Sequence, residues 1–289
     1  IVWGPASSFI EDNNALALTT LMIIPLMYYL YKITEKPWIK YFLLFAMLSS
    51  SASALGSQSR GALLAVLAVA GLFWLKSSNK AVTSVLIVVL GIVGFALMPD
   101  SWHERMSTIQ TYEEDASAMG RINAWEYSVN IANARLTGGG LNSWSTSTFA
   151  LYAPNPLDVH AAHSIYFGVL GDHGWPGLIL FLLILIFTWR TFGKIIKKTA
   201  GVENGSQANI LARMIQVSLL AYMTGGAFLS LSYFDLPWHL IALALILKRQ
   251  VDQGQDQEIE NQSSNTGASN VNLHESSESR NRYEGSYRD

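Results

Sequence analysis

The sequence predicts an all-α integral membrane protein, a polytopic helical bundle with one long, partly helical loop on its outer side. Three observations lead there. Half of the 289 residues are apolar and only 14% are charged, against roughly 25% in soluble domains. Residues 251–289 hold 11 of the 40 charged residues and only 7 apolar ones. The remaining 250 residues contain seven apolar stretches at or near the ~20 helical residues that a hydrocarbon core demands. Net charge divides the same way, with 16 Lys and Arg against 13 Asp and Glu in the first 250 residues, and three against eight after them. That balance gives no reason to expect nucleic acid as a partner; membrane lipid is the expected surroundings. With no cysteine, disulfides, thiolate zinc sites and cysteine nucleophiles are excluded. Ile1 opens a loop-like stretch that is no signal peptide, so the expectation is the C-terminal piece of a longer protein with further spans upstream.

The stretches are Asn13–Tyr31, Trp38–Gly56, Gly61–Leu75, Ala81–Met98, Gly174–Gly193, Leu211–Ser230 and Leu236–Leu247. The third and the last are short, since fifteen residues rise only ~22 Å in a helix. Lysine placement sets the orientation. Lys32, Lys36, Lys40, Lys76, Lys80, Arg190, Lys194, Lys197, Lys198, Lys248 and Arg249 all fall on one side when the chain is threaded alternately. That side is the cytoplasm. The N-terminal segment, the Gly56–Gly61 link, the long loop 99–173 and the Tyr233–Trp238 link face outward. Residues 1–250 thus form one polytopic domain. Residues 251–289, rich in Ser, Asn, Gln and Glu, bury too little apolar surface to fold and read as a disordered cytoplasmic tail.

Chemistry is expected at the outer face, where five of the six histidines fall. Within the long loop, RINAWEYSVNIANAR reads as a helix with Ile122, Trp125, Val129 and Ala132 on one stripe, lying on the bundle or the membrane surface. Arg121 sits in its first turn, whereas Arg135 lies ~21 Å along the axis, too far to share one phosphate. The TGGGLNSW segment (Thr137–Trp144) is a glycine turn, either an ordinary loop or a place where backbone approaches a ligand closely. Arg60 follows the small polar run SSSASALGSQS at the outer end of a hairpin, where it either snorkels or binds phosphate. Asp12 reads as a helix cap. The acidic run Glu113–Asp115 has no histidine or further carboxylate at ligand spacing, so no metal and no cofactor are expected. Glycine-rich nucleotide loops and G-x-S-x-G elbows are absent from the sequence. In HSIYFGVLGDHGWPG (His163–Gly177), a helix starting near His163 puts Phe167 and Leu170 on the histidine's face. Gly171, Gly174, Pro176 and Gly177 break it before the next span.

These residues resemble a family. The bacterial O-antigen ligases and related polymerases carry His, then Asn, Ser or Gln, nine residues, Gly, two residues, and Gly, Thr or Tyr. His163, Ser164, Ile165–His173, Gly174, Trp175–Pro176 and Gly177 match at every fixed position. The SRGA at Ser59–Ala62, the R-x₃-W at Arg121–Trp125, the glycine turn and the long periplasmic loop are similar to that superfamily, in the same order. The opening GPASSFIEDNNALAL looks like the exosortase-associated O-glycosylation ligases.

The resemblance implies a fold like that of the C-type glycosyltransferases. It also implies transfer of a glycan from an undecaprenyl diphosphate carrier to an acceptor hydroxyl of a lipid, protein or polymer, at the periplasmic face of the bacterial inner membrane. Arg60, Arg121 and His163 are then the expected catalytic and substrate-binding residues. The guanidinium forks would stabilise the leaving diphosphate, and His163 would bind phosphate or take the acceptor proton. Asp235, beside Pro237, is a further candidate from position alone. The nearest rival is a lipid-linked polysaccharide polymerase of the same superfamily. A lipid-glycan transporter is the rival from another class, and it expects broken or charged helices at the bilayer midplane.

Overall fold

The computed structural model describes residues 2–57, 59–77, 79–96, 100, 102, 116–201 and 206–254. The acidic run and the tail beyond residue 254 lie outside them. The secondary structure of the described residues is helical: α1 (Asn13–Ile33), α2 (Pro37–Gly56), α3 (Arg60–Lys76), α4 (Lys80–Ala96), α5 (Ala116–Ala134), α6 (Thr146–Tyr152), α7 (Ile165–Lys198) and α8 (Ser206–Gly225), then α9 at residues 235–254.

Among the described residues four helices are long and apolar enough to cross a membrane: Asn13–Ile33, Pro37–Gly56, Ile165–Lys198 and Gln207–Phe228. The chain is an all-α polytopic membrane protein. Seven spans were expected from the sequence. Gly61–Leu75 and Lys80–Ala96 form shorter apolar helices. The last expected span belongs to a helix of 20 residues, 235–254, whose end carries Lys248, Arg249 and Asp252.

Helix α8 is the centre of the bundle, packed on α1, α3 and α7, while α2 leans on α1 and α4 packs on α3. The core follows from that arrangement. Leu18 and Met22 of α1, Phe192 of α7, Ile215, Leu219 and Tyr222 of α8, and Leu240 and Ala244 of α9 form one buried cluster. Helices α2 and α4 instead expose Phe42, Phe45, Leu48, Val85, Val89 and Ile92. Apolar faces of that extent suit hydrocarbon, not water.

Local chemistry explains the joints. Pro25 interrupts the hydrogen-bond ladder inside α1, and the buried Ser218 hydroxyl of α8 donates to the neighbouring Met22 carbonyl at 2.6 Å. That bond ties α8 to α1 one turn ahead of the proline. The outer ends of α1, α2 and α3 meet through Ala17, Ala54 and Ala62, as the small-residue run implied. Asn13 Nδ2 donates to the Ser57 carbonyl at 2.6 Å, tying the start of α1 to the α2–α3 turn. At the opposite end, Lys198 Nζ of α7 lies 2.6 Å and Lys248 Nζ 3.1 Å from the Asp252 carboxylate of α9. The lysine-bearing ends of α7 and α9 therefore meet.

Candidate active site at the outer pole

The segment ahead of α7 is fixed at three successive residues. The Ala162 carbonyl accepts from Trp125 Nε1 of α5 at 2.7 Å. His163 N donates to Ser230 Oγ at 3.1 Å. Ser164 caps α7, accepting from Phe167 N. Between the outer two anchors, His163 adopts φ +43°, a left-handed conformation that costs a non-glycine residue ~1–3 kcal/mol and persists only where its surroundings over-determine it.

Trp125 also sets Arg121. Its ring stacks on Phe167 of α7 (centroids 4.9 Å apart, 10° between planes) and leans on Phe228 at 6.2 Å. Residues four apart lie on one helix face, so pinning Trp125 brings Arg121, one turn back, to the same edge of α7 as His163. The two are close enough to interact electrostatically. Burial first, and then the Arg121 charge and His160, hold the His163 imidazole below its usual range, with Asp12 opposing them. Asp12 caps α1, accepting from Asn14 N and Ala15 N at 3.0 and 3.1 Å. Its influence on His163 is something that a reading as a cap alone missed.

The remaining expected residues divide. The backbone of Arg60 opens α3 behind the Ser59 cap, and its side chain lies outside the described residues. The next residue, Gly61, packs so close that a Cβ there would lie 3.4 Å from the Gly225 carbonyl oxygen and 3.9 Å from Phe228 Cβ. The start of α3 is thus one aromatic contact away from Trp125. Asp235 is exposed at the start of α9, its carbonyl bonded to His239 Nδ1 at 2.8 Å, and no described contact joins it to Arg121 or His163. Arg135 lies over the Tyr152 ring, 5.9 Å from its centroid. Among the described residues no group of three or more His, Asp or Glu is placed to hold a metal ion.

The glycine turn approaches backbone closely, but the backbone is the protein's own. Helix α7 is broken at Gly174 (φ 66°, ψ −166°), and Pro176 has no N–H to offer the Asp172 carbonyl. The orphaned carbonyls of Gly171 and Asp172 accept instead from Gly139 N and Gly140 N at 2.8 and 2.9 Å. A Cβ on Gly174 would lie 2.0 Å from the Leu136 carbonyl oxygen, and one on Gly138 2.6 Å from Gly174 N. Only glycine fits either position, so the loop docks into the break.

Sequence reasoning gave no sign of the polar joint beside it. The buried Asp172 carboxylate accepts from Trp144 Nε1 and Tyr233 OH, each at 2.7 Å, and His173 Nε2 lies 3.0 Å from the same phenol oxygen. Burial, and then Asp172, raise the Tyr233 phenol above its usual range. This joint holds the loop, α7 and the link before α9 together. The one available signal was an acid between two apolar runs, a rare placement that normally has a purpose.

Residues 44–182, just under half of the chain, match the family model described as O-antigen ligase. The matched span contains Arg60, Arg121, His163 and the broken part of α7, and it supports a glycan ligase- or polymerase-type superfamily and a glycosyl-transferring enzyme. A comparison with curated proteins finds no match.

Proposed function

We propose that the protein transfers a glycan from an undecaprenyl diphosphate carrier to an acceptor hydroxyl at the periplasmic face of the bacterial inner membrane. The subgroup we propose is the exosortase-associated ligases, from the opening residues 4–18, which precede the matched span. The observation that carries the reading is the convergence of Arg121 and His163, from two elements pinned together by Trp125, at the outer end of a broken helix inside the family match.

The acceptor oxygen attacks the anomeric carbon, the carbon–oxygen bond to phosphate breaks, and the electron pair leaves on the diphosphate. Arginine's planar, permanently charged fork meets that developing charge in two-pronged fashion. Arg121 supplies one such group and Arg60, at the start of α3, the second. His163 is held low by burial and by Arg121, which keeps it neutral near pH 7 until an anion arrives. A bound diphosphate reverses the local charge and favours the imidazolium, so His163 takes up a proton as the donor binds and becomes a third positive contact. Displacement in a single step inverts the anomeric centre. A polymerase would differ only in its acceptor, a second lipid-linked glycan.

The test uses the full-length protein reconstituted with a lipid diphosphate glycan and candidate acceptors, following which acceptor becomes labelled. Arg60→Ala, Arg121→Ala and His163→Ala should each abolish transfer at preserved membrane levels, and lysine at either arginine should leave partial activity. Normal transfer in all three alanine variants would overturn the site.

A further inference from the structure

A second histidine lies beside the first, in an arrangement the reading above does not use. His160 Nδ1 is 2.6 Å from the Asp158 Oδ1 carboxylate oxygen. A carboxylate there fixes the ring proton on Nδ1 and leaves the Nε2 lone pair as a base. The loop that presents the pair is rigidly held. Asn123 Nδ2 of α5 donates to the Asn155 and Asp158 carbonyls at 3.0 and 2.9 Å, and Asn155 N donates back to Asn123 Oδ1 at 2.8 Å. The Trp125–Ala162 bond holds the far side. The imidazole lies against bare backbone, since a Cβ on Gly120 would stand 3.0 Å from His160 Nδ1. That contact is one residue before Arg121.

His160 and Asp158 line an open depression of about 600 Å³ together with Ser117, Met119, Asn155 and Leu157. Its lining combines a carboxylate, an amide and a hydroxyl with the exposed apolar side chains of Met119 and Leu157. Sugars offer the matching chemistry, hydroxyls for the polar groups and C–H faces for the apolar ones. Arg121 follows Gly120 directly, so the depression opens beside the site proposed for the diphosphate.

We propose that this depression receives the acceptor, and that His160, oriented by Asp158, is the general base for its hydroxyl. The inference rests on the transfer reading and divides the labour between the histidines: His163 attends the leaving diphosphate, His160 the incoming oxygen. The hydroxyl proton passes to His160 Nε2 as the oxygen bonds the anomeric carbon, the carbon–oxygen bond to phosphate breaks with its electron pair leaving on the diphosphate, and the imidazolium then returns its proton to water. Asp158 on its own loop contacts His160, and His163, three residues on, feels the charges of His160, of Arg121 on α5 and of Asp12 ahead of α1.

The experiment measures kcat, donor KM and the pH profile of the reconstituted full-length protein, with His160→Ala, His160→Gln and Asp158→Asn. Both His160 variants should lose about 10²- to 10³-fold in kcat while donor KM changes less than about two-fold, the usual size of a lost general base. Added imidazole should restore turnover to His160→Ala. Asp158→Asn removes the carboxylate that holds the ring proton on Nδ1, so its kcat should fall while donor KM stays within about two-fold of wild type. Wild-type kcat and an unchanged acid limb in His160→Ala would overturn the assignment and leave the transfer reading standing. So would a loss that imidazole does not rescue and that appears in donor KM. Absence of transfer by the wild-type protein would overturn both.

Discussion

His163 concentrates the site's chemistry in one strained residue. Its left-handed backbone (φ +43°) is sustained by the Trp125 bond at Ala162, the Ser230 bond at its own N–H and the Ser164 cap, within electrostatic reach of Arg121. The consequence is a pH dependence with a definite sign. In the empty site burial and Arg121 lower the imidazole pKa; a bound diphosphate raises it. Donor binding is therefore coupled to proton uptake between the lowered and the raised value, and donor affinity should fall as pH rises through that window. Titrating a lipid diphosphate analogue at several pH values, with Arg121 intact, should show tightening toward acid in the wild type and a flatter profile in His163→Gln. A wild-type affinity that rises with pH would contradict it. His163 and Arg121 stood out in the sequence through the family resemblance, by the His163–Gly177 pattern and the Arg121–Trp125 spacing. Asp172 was not, because its partners Trp144 and Tyr233 lie 28 and 61 residues away and nothing in local spacing announces such pairs.

At the scale of elements, the break in α7 and the glycine turn form one device. Gly171, Gly174 and Pro176 signalled the break in the sequence, but what fills it did not show, since the complement is backbone amides with no side-chain signature. Helix α5 departs from expectation in a related way. Of the periodic apolar positions only Ala132 is buried, Ile122, Trp125 and Val129 being half-buried, and Asn123, Ala124, Tyr127, Ser128 and Ile131 are shielded as well. Polar residues can occupy that face because its partners are protein. The Ser128 hydroxyl returns to the Ala124 carbonyl and the Tyr127 hydroxyl bonds the Ser143 carbonyl, so both buried hydroxyls are satisfied. The same observation weighs against transport. A transporter's broken helix leaves its backbone groups to coordinate cargo, whereas here Gly139 and Gly140 already occupy them. Gly174→Ala places a Cβ 2.0 Å from the Leu136 carbonyl oxygen and forces a left-handed alanine. Gly71, inside α3, has nothing within 4 Å of such a Cβ. Thermal unfolding in detergent should show Gly174→Ala destabilised by more than ~1–3 kcal/mol with transfer lost. Gly71→Ala should be neutral or stabilised by up to about 1 kcal/mol. Equal behaviour of the two would mean the docked turn does not hold the site.

Across the whole molecule, two poles with different contents bear on the direction in which the proposed reaction would face. One gathers the cap of α1, the α2–α3 turn, α5, the start of α7 and the link before α9, with His160, His163, His173 and Tyr233 among them. The other gathers the lysine-rich ends, where Lys198 and Lys248 pull the Asp252 carboxyl below its usual range, chiefly through their hydrogen bonds to it. Lysine is retained on the cytoplasmic side of a membrane, so the proposed reaction requires the first pole to face outward. Because the chain contains no cysteine, a single introduced thiol reports its own side directly. Asn142→Cys, exposed in the loop that docks on α7, should react with a membrane-impermeant maleimide in intact spheroplasts. Ala200→Cys, exposed beyond the last lysines of α7, should react only once the membrane is permeabilised. Both positions lie away from Arg121 and His163, so transfer by each variant can be checked alongside the labelling. Labelling of the two from the same side would break the threading. The reverse pattern would preserve the fold but turn the site toward the cytoplasm, and a periplasmic acceptor would then be out of reach.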